Sequence, residues 1–398
     1  MLQKNNIQMT VFRDSQFLSS SEGHGGNRRT LQIKEILSRS NYEVIDLRGN
    51  NPKIIEEFLK QPFLKKIIQA IRIIPYLFGY FAFIFPEYKK FILSAIKTSQ
   101  LEQKVNDKLK YYNDCEEIKE KKILICEDSL NFLTLYFAKK QGFKIISLPH
   151  NFDSMATKDA DDCNFSNLSS NFRSLKNEIM HFDCSDHVFC ISREEQWFLR
   201  LCGIKSDYLP YYPPESIIKD LLKIRNDRSC INFDDSSLPK QFLILGTYTN
   251  PPTKDGIIEL VEWFNSFDKL INIKVCIAGF GTEKLKDEIS FLSNLELLGT
   301  LSDKELTNLL IQTSAVIINQ RYGLGALTKI PELLISGVPV LVNGIAARSH
   351  HNYHGVSVYE NKQELCDLLL SNKLYTPNFL ERPLQHEMRF INTLNQLF

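Results

Sequence analysis

The stretch Gly323-Leu-Gly-Ala-Leu-Thr-Lys-Ile-Pro-Glu-Leu-Leu-Ile-Ser-Gly-Val-Pro339 decides how the rest of the chain is read. Before it stands Ala315 to Ile318, an apolar run typical of a buried parallel strand. Asn319, Gln320 and Arg321 lead into a loop carrying Gly323 and Gly325. A short helix signal follows with Thr328, Lys329 and Glu332, and Gly337 closes it. Val338 to Val342 reads as the next strand, so the whole is one βαβ unit. Its loop and helix start lie at the carboxyl end of a strand, where open α/β sheets bind ligands. Backbone N–H groups there suit a phosphate. Lys329 adds positive charge, and Glu332 can accept hydrogen bonds from a ribose diol. The alternative is an ordinary βαβ turn with a surface lysine and glutamate.

The chain has 398 residues, above the roughly 250–300 at which one core stops growing, so two domains are expected. A hydrophobic share of 43% is enough for two cores. Net charge of +1 argues against a general nucleic-acid binder. The nine cysteines show no C-x-x-C pair or metal-ligand spacing, and read as reduced thiols in a cytosol. Met1 to Thr10 is polar and lacks the apolar core of a signal peptide. The expected location is cytoplasmic, with an inner-membrane-face association suggested by residues 67–92. That aromatic, apolar segment is bordered by Lys65, Lys66, Lys89 and Lys90, and is interrupted by Arg72, Pro75 and Pro86. Its uninterrupted apolar part is too short to span a bilayer, but the segment suits a membrane surface; a buried helix hairpin is the alternative.

In chain order, Met9 to Phe12 is a strand candidate, followed by a polar loop, Ser19 to Arg29, with Gly25 and Gly26. Thr30 to Ser38 is an amphipathic helix and Tyr42 to Asp46 a second strand. Arg28 and Arg29 stand at a helix start, a position that disfavours cations unless an anion is near. Residues 53–120 form a helical insertion. Lys122 to Cys126 and Phe143 to Leu148 are strands around a helix from Asn131. The first ends in Glu127 and the second in Pro149-His150-Asn151. His150 can hydrogen-bond a sugar hydroxyl or act as a base; an ordinary loop histidine is the alternative. Asp159 and Asp161 lie in a polar loop and read as solvated charge. Ser192 and Glu195 form a capping-box pattern after the strand Asp186 to Ile191.

Expected domains are residues 1–215, a linker at 216–240, a second domain at 241–375 and a final helix at 376–398. The second domain opens with a strand, Gln241 to Leu245, then Gly246, Thr247, Thr249 and Lys254 before a helix from Ile257. Hydroxyls and a cation at a helix start suit a diphosphate. Ile273 to Ala278 is followed by Gly279-Phe-Gly281. His350, His351 and His354 have no nearby cysteine or carboxylate, so they read as a polar loop, and no metal is expected.

The run Lys329, Glu332, Gly337, Pro339, Val340 resembles the donor-nucleotide segment of GT-B glycosyltransferases of the GT4-like kind. Gly25 and Gly26 match that family's first glycine loop, and His150-Asn151 its interdomain pair. Gly246, Thr247 and Thr249 match the loop that approaches the donor phosphates, and Gly279 and Gly281 the G-x-G at the nucleotide. Retaining members often carry E-x7-E; Glu332 fits the second position and Leu324 stands at the first.

The resemblance implies an α/β GT-B fold: two Rossmann-like domains facing across a cleft, with the last helix crossing back to the first. His150, Lys329 and Glu332 would be catalytic. Gly25, Gly26, Gly246, Thr247, Thr249, Lys254, Gly279, Gly281, Arg321, Gly323, Gly325 and Thr328 would hold a nucleotide-diphosphate sugar, UDP- or GDP-linked. The acceptor would be a glycan, a lipid-linked sugar or a surface polysaccharide; no separate cofactor is implied. A sugar-nucleotide epimerase and a non-catalytic partner of another transferase are the alternatives.

Overall fold

The computed structural model describes residues 9–23, 25–47, 60–65, 67–68, 71, 88–111, 122–129, 132–155, 175–231, 233, 240–266, 273–371 and 374–398. Two compact units emerge: the chain up to Pro210 joined by Pro383–Phe398, and Tyr211–Arg382.

The first unit is built on β1 (Met9–Asp14), α1 (Gly25–Arg39), β2 (Tyr42–Asp46), α2 (Tyr88–Tyr111), β3 (Ile123–Cys126), α3 (Phe132–Lys140) and β4 (Lys144–Ser147). It continues through helical residues 175–183 to β5 (His187–Cys190), α4 (Arg193–Leu201) and β6 (Ser206–Tyr208). Its parallel sheet runs β2-β1-β3-β4-β5-β6. Helices cover both faces, so neighbouring residues of one strand enter different cores. Val11 packs with Ile33, Ile36 and Phe390, whereas Phe12 packs with Leu101, Val105 and Leu135. Ser192 Oγ accepts from the N–H of Glu195 and caps α4, as its spacing predicts.

The second unit holds α5 (Glu215–Arg228), β7 (Gln241–Leu245), α6 (Pro251–Asn265), β8 (Lys274–Ala278), β9 (Leu295–Gly299), α7 (Asp303–Gln312) and β10 (Ala315–Ile318). It closes with α8 (Lys329–Ile335), β11 (Val340–Asn343), β12 (Val356–Tyr359) and α9 (Lys362–Leu370). The sheet order is β12-β11-β10-β7-β8-β9, all parallel. Counted within the unit, that is the 3-2-1-4-5-6 order of dinucleotide-binding folds, whose ligand crevice opens where the order reverses. Here the reversal falls between β7 and β10.

The last helix, α10 (Leu384–Leu397), returns to the first unit. Phe390 and Leu394 enter the Val11 core, Tyr42 donates to Asn395 Oδ1 at 2.6 Å, and Arg39 pairs with Glu387 at 3.0 Å.

Residues 216–240, expected as a linker, instead begin inside α5, which is docked in the second unit. The buried Arg228 guanidinium donates to the carbonyls of Leu310, Gly337 and Thr313, the last two at 3.0 and 2.7 Å. A helix so anchored cannot act as a free tether. Most of the 53–120 insertion and of the 67–92 segment, with Asp159 and Asp161, lies outside the described residues.

Candidate functional site

At the reversal point of the second sheet, the loops after β7 and β10 lie side by side. Lys329, the first residue of α8, sends its ammonium back to the carbonyl of Leu245, the last residue of β7, at 3.1 Å. Burial, only partly offset by Glu332, pushes this lysine down to about 8. Glu332 sits one turn on, nearly buried, and its Oε1 accepts a 2.6 Å hydrogen bond from the Tyr211 hydroxyl. Sequence reasoning missed Tyr211; its only signal is the aromatic, proline-rich stretch Tyr208 to Pro214.

The Gly323–Gly325 loop is held from behind by Arg348, a buried cation the sequence did not single out. Arg348 Nε donates to the Gly325 carbonyl and Nη2 to the Leu324 carbonyl, both at 2.7 Å. Nη1 donates to the Gln320 side chain at 2.9 Å and the Ile345 carbonyl at 2.6 Å. Gly325, at φ 66°, takes the left-handed conformation that this backbone path requires. Asn343 completes the support, accepting from the N–H of Gln320 at 3.1 Å and donating to its carbonyl at 2.7 Å. Thr328 immediately precedes α8 but its side chain makes no cap hydrogen bond, and Arg321 is exposed.

The loop after β7 differs from expectation. Helix α6 starts at Pro251, six residues before the predicted Ile257. Its first two residues are prolines without N–H groups, and the N–H groups of Thr253 and Lys254 both bond to the Asn250 carbonyl. This helix start therefore supplies no bare amide donors. Lys254 is also engaged, with Glu288 at 2.8 Å and above the Tyr248 ring at 4.6 Å. A role for Lys254 toward a diphosphate, as expected from the sequence, would require this pair to open. Thr249 is exposed and Thr247 half-buried on the same loop. Gly246 and Gly279 meet backbone to backbone: a Cβ on Gly279 would lie 1.6 Å from the Gly246 carbonyl oxygen. Gly281, at φ 77°, donates its N–H to Thr300 Oγ1 at 2.9 Å. The glycines thus let the ends of β7, β8 and β9 approach closely.

In the first unit, β1, β3 and β4 end on a buried polar cluster. Glu127 follows β3, and its Oε2 accepts from Ser15 Oγ at 3.0 Å and Thr30 Oγ1 at 2.5 Å. His150 Nε2 lies 3.2 Å from the same oxygen. Burial alone would raise the Glu127 carboxyl, but the bonds from His150 and Thr30 and the charge of Arg13 outweigh it and hold it at about 2. An ionised carboxylate only accepts, so His150 Nε2 is the donor in this contact. The imidazole also packs on Phe17, ring centroids 4.4 Å apart.

Gly25 and Gly26 open α1 instead of lying in a loop before it, since that helix starts five residues earlier than predicted. Arg29 is fully buried and donates to the Leu209 and Pro210 carbonyls at 2.7 and 3.1 Å, which makes it a fold anchor and not an anion ligand. Among the described residues no group of three His, Cys, Asp or Glu is placed to hold a metal ion. His350 is buried, and His354 Nδ1 accepts from the N–H of Asn378 at 3.2 Å.

The two parallel six-stranded sheets with their flanking helices, and the last helix returned to the first unit, are those of GT-B glycosyltransferases, and the chain has that fold. Among solved structures it is similar to Anabaena HepE in complex with UDP and glucose: 12% identity over 97% of this chain and 99% of that one, TM-score 0.57. It is likewise similar to OtsA, a trehalose-6-phosphate synthase, at 9% identity over 98% and 99% of the chains, TM-score 0.58. An E. coli trehalose-6-phosphate structure bound with UDP-2-fluoro glucose matches at 9% identity over 98% and 96%, TM-score 0.55. At these identities the likeness is one of fold. No family model and no curated protein matches the sequence.

Proposed function

We propose that this chain is a glycosyltransferase that moves a hexosyl or related unit from a nucleotide-diphosphate sugar to a glycan, lipid-linked or surface-polysaccharide acceptor, without a metal. The second unit takes the donor and the first the acceptor. One observation carries the reading: Lys329 reaches across the reversal point of the sheet to the end of β7, with Glu332 on the next turn of its helix. A cation is thus set where the two ligand-facing loops meet, with a carboxylate beside it. UDP or UDP-sugar bound to HepE and to the E. coli structure supports a uridine-linked donor here.

Catalysis in this reading is positioning plus stabilisation of the leaving diphosphate. Lys329 offsets the developing charge and Glu332 grips the ribose diol. Gly323, Gly325 and Thr328, with Gly246, Thr247, Gly279 and Gly281, line the donor. With α8 only seven residues long, its dipole contributes little and the lysine more. Lys254, paired to Glu288, contributes only if that pair opens. His150, with Nε2 held by Glu127, presents Nδ1 to a sugar hydroxyl as orienting group or base.

A thermal-shift panel of UDP-, GDP-, CMP- and dTDP-sugars tests the donor, because a ligand that binds the folded state raises its melting point by mass action. A uridine- or guanosine-diphosphate sugar is expected to give the shift. Incubation with that donor alone then separates transfer from epimerisation, since an epimerase forms a new sugar nucleotide with no acceptor present. No shift with any of the four would sink the proposal.

A further inference from the structure

Outside both polar sites, the described residues between 63 and 71 are helical and carry a one-sided apolar stripe. Phe63, Leu64, Ile67, Ile68 and Ile71 follow the i, i+1, i+4, i+5, i+8 spacing that places side chains along one helix face. All five are exposed: 77, 71, 39, 46 and 58% respectively. Surface aliphatics scattered singly need no explanation, but a contiguous run on one helix face marks a contact surface.

Charge identifies what that surface meets. Lys60 and Lys65 are exposed beside the stripe, and the sequence adds Lys66 and Arg72. Between Lys60 and Pro86 there is no aspartate or glutamate, in a protein whose acids and bases otherwise nearly balance at 47 and 48. A protein partner matched to the stripe would need apolar area alone; four cations with no acid among them call for an anionic surface as well. A bilayer with anionic lipids supplies both, taking the apolar face into the acyl boundary while lysines reach the headgroups. No described helix is long and apolar enough to cross a membrane.

We propose that Phe63, Leu64, Ile67, Ile68 and Ile71 dock this protein on an anionic lipid surface by inserting into it, with Lys60 and Lys65 at the headgroups. This stands apart from the glycosyltransferase reading and can fail or succeed without it. The test is flotation of the full chain with vesicles of phosphatidylcholine, with and without phosphatidylglycerol, at low and high salt. Binding is expected to the phosphatidylglycerol vesicles and to weaken with salt. Leu64→Gln with Ile68→Gln should reduce it by at least about tenfold with an unchanged melting temperature, because two inserted aliphatics are lost. Lys60→Gln with Lys65→Gln should reduce it only at low salt. Equal flotation of the Leu64/Ile68 variant would overturn the proposal. So would a wild-type dimer in sedimentation that this variant abolishes, which assigns the stripe to a second copy. A fall in the variant's melting temperature without vesicle binding by the wild type would assign it to internal packing, with the same consequence.

Discussion

Tyr211 and Glu332 stand 121 positions apart in sequence, yet the phenol donates a 2.6 Å hydrogen bond to the buried carboxylate within the second unit. The bond holds the acid in one orientation at the head of α8, next to the Lys329 ammonium. Hydrogen bonds to charged groups contribute about 1.5–3 kcal/mol, and a buried acceptor left unmade costs its desolvation as well. Tyr211→Phe is expected to lower stability by about that amount in a urea titration. Because the acid stays but loses its orientation, donor KM should rise by roughly threefold to tenfold with a smaller change in kcat. Glu332→Ala should lower transfer by at least about tenfold with the fold retained. A Tyr211→Phe enzyme with wild-type KM would detach the phenol from donor binding.

Lys329 links pH to both stability and turnover, with opposite signs. Its folded value is about 8 against 10.5 for a free lysine, because burial penalises the charge more than Glu332 favours it. Between those values the unfolded chain holds a proton that the folded chain has released, so this group's contribution to stability rises with pH from about 8 to 10.5. The same titration removes the positive charge proposed to meet the diphosphate. Thus kcat/KM should fall above about pH 8 while the melting temperature gains from this residue. Lys329→Met should lower transfer by at least about tenfold, erase that alkaline limb, and leave the fold no less stable at neutral pH. A variant that keeps the limb would assign it to another group.

Much of the fold was legible because a strand in a parallel sheet is buried on both faces and reads as a plain apolar run. Ala315–Ile318, Ile123–Cys126 and Gln241–Leu245 are such runs, and all three are strands. Ser192 and Gly337 were legible for a related reason: caps act within a few residues of their position. What pairs across the sequence was not. Nothing local tells that Lys254 finds Glu288, 34 positions on, or that Arg348 reaches back to the carbonyls of Leu324 and Gly325. Pro251 and Pro252 read as loop in the sequence, yet they open α6, because proline is compatible with a first helical turn. Residues 216–240 read as a linker because their charged composition hides Arg228, whose head group is buried against carbonyls of α7, the turn after it and the turn after α8.

In the first unit, Glu127 is ionised far below the usual carboxylate range, at about 2 against 4.5. Burial opposes this, and the donors around it win. Its stabilising contribution is complete above about pH 4.5 and is lost as pH falls toward 2. Glu127→Gln should cost about 1.5–3 kcal/mol at neutral pH, and the gap to wild type should close in acid, as followed by circular dichroism. The amide also ceases to dictate which imidazole nitrogen carries the proton. Turnover should therefore fall more than donor affinity, and His150→Ala should add little to the loss in the double variant. Additive effects of the two changes would mean that they do not act as a pair.

Gly256 offers a test of the close packing beneath the donor loops. It lies within α6, where alanine is ordinarily the better residue by about 0.8–1 kcal/mol. A Cβ there would sit 2.0 Å from the carbonyl oxygen of Asn319, and backbone cannot swing aside as a side chain can. Asn319 is itself tied to α6, donating to Glu259 at 2.7 Å and to the Gly256 carbonyl at 3.3 Å. Gly256→Ala must push α6 away from the end of β10 and carry Gln320 with it. The sign of the usual glycine-to-alanine effect should therefore reverse, with a loss of about 1–3 kcal/mol or more in urea unfolding. Gly142→Ala is the control: a Cβ there meets nothing within 4 Å, and only its φ of 79° is unfavourable. That substitution should cost about 1–2 kcal/mol and leave the donor-induced thermal shift intact. Gly256→Ala should diminish that shift, because the displaced Gln320 and Arg348 no longer hold the Gly323–Gly325 loop in place.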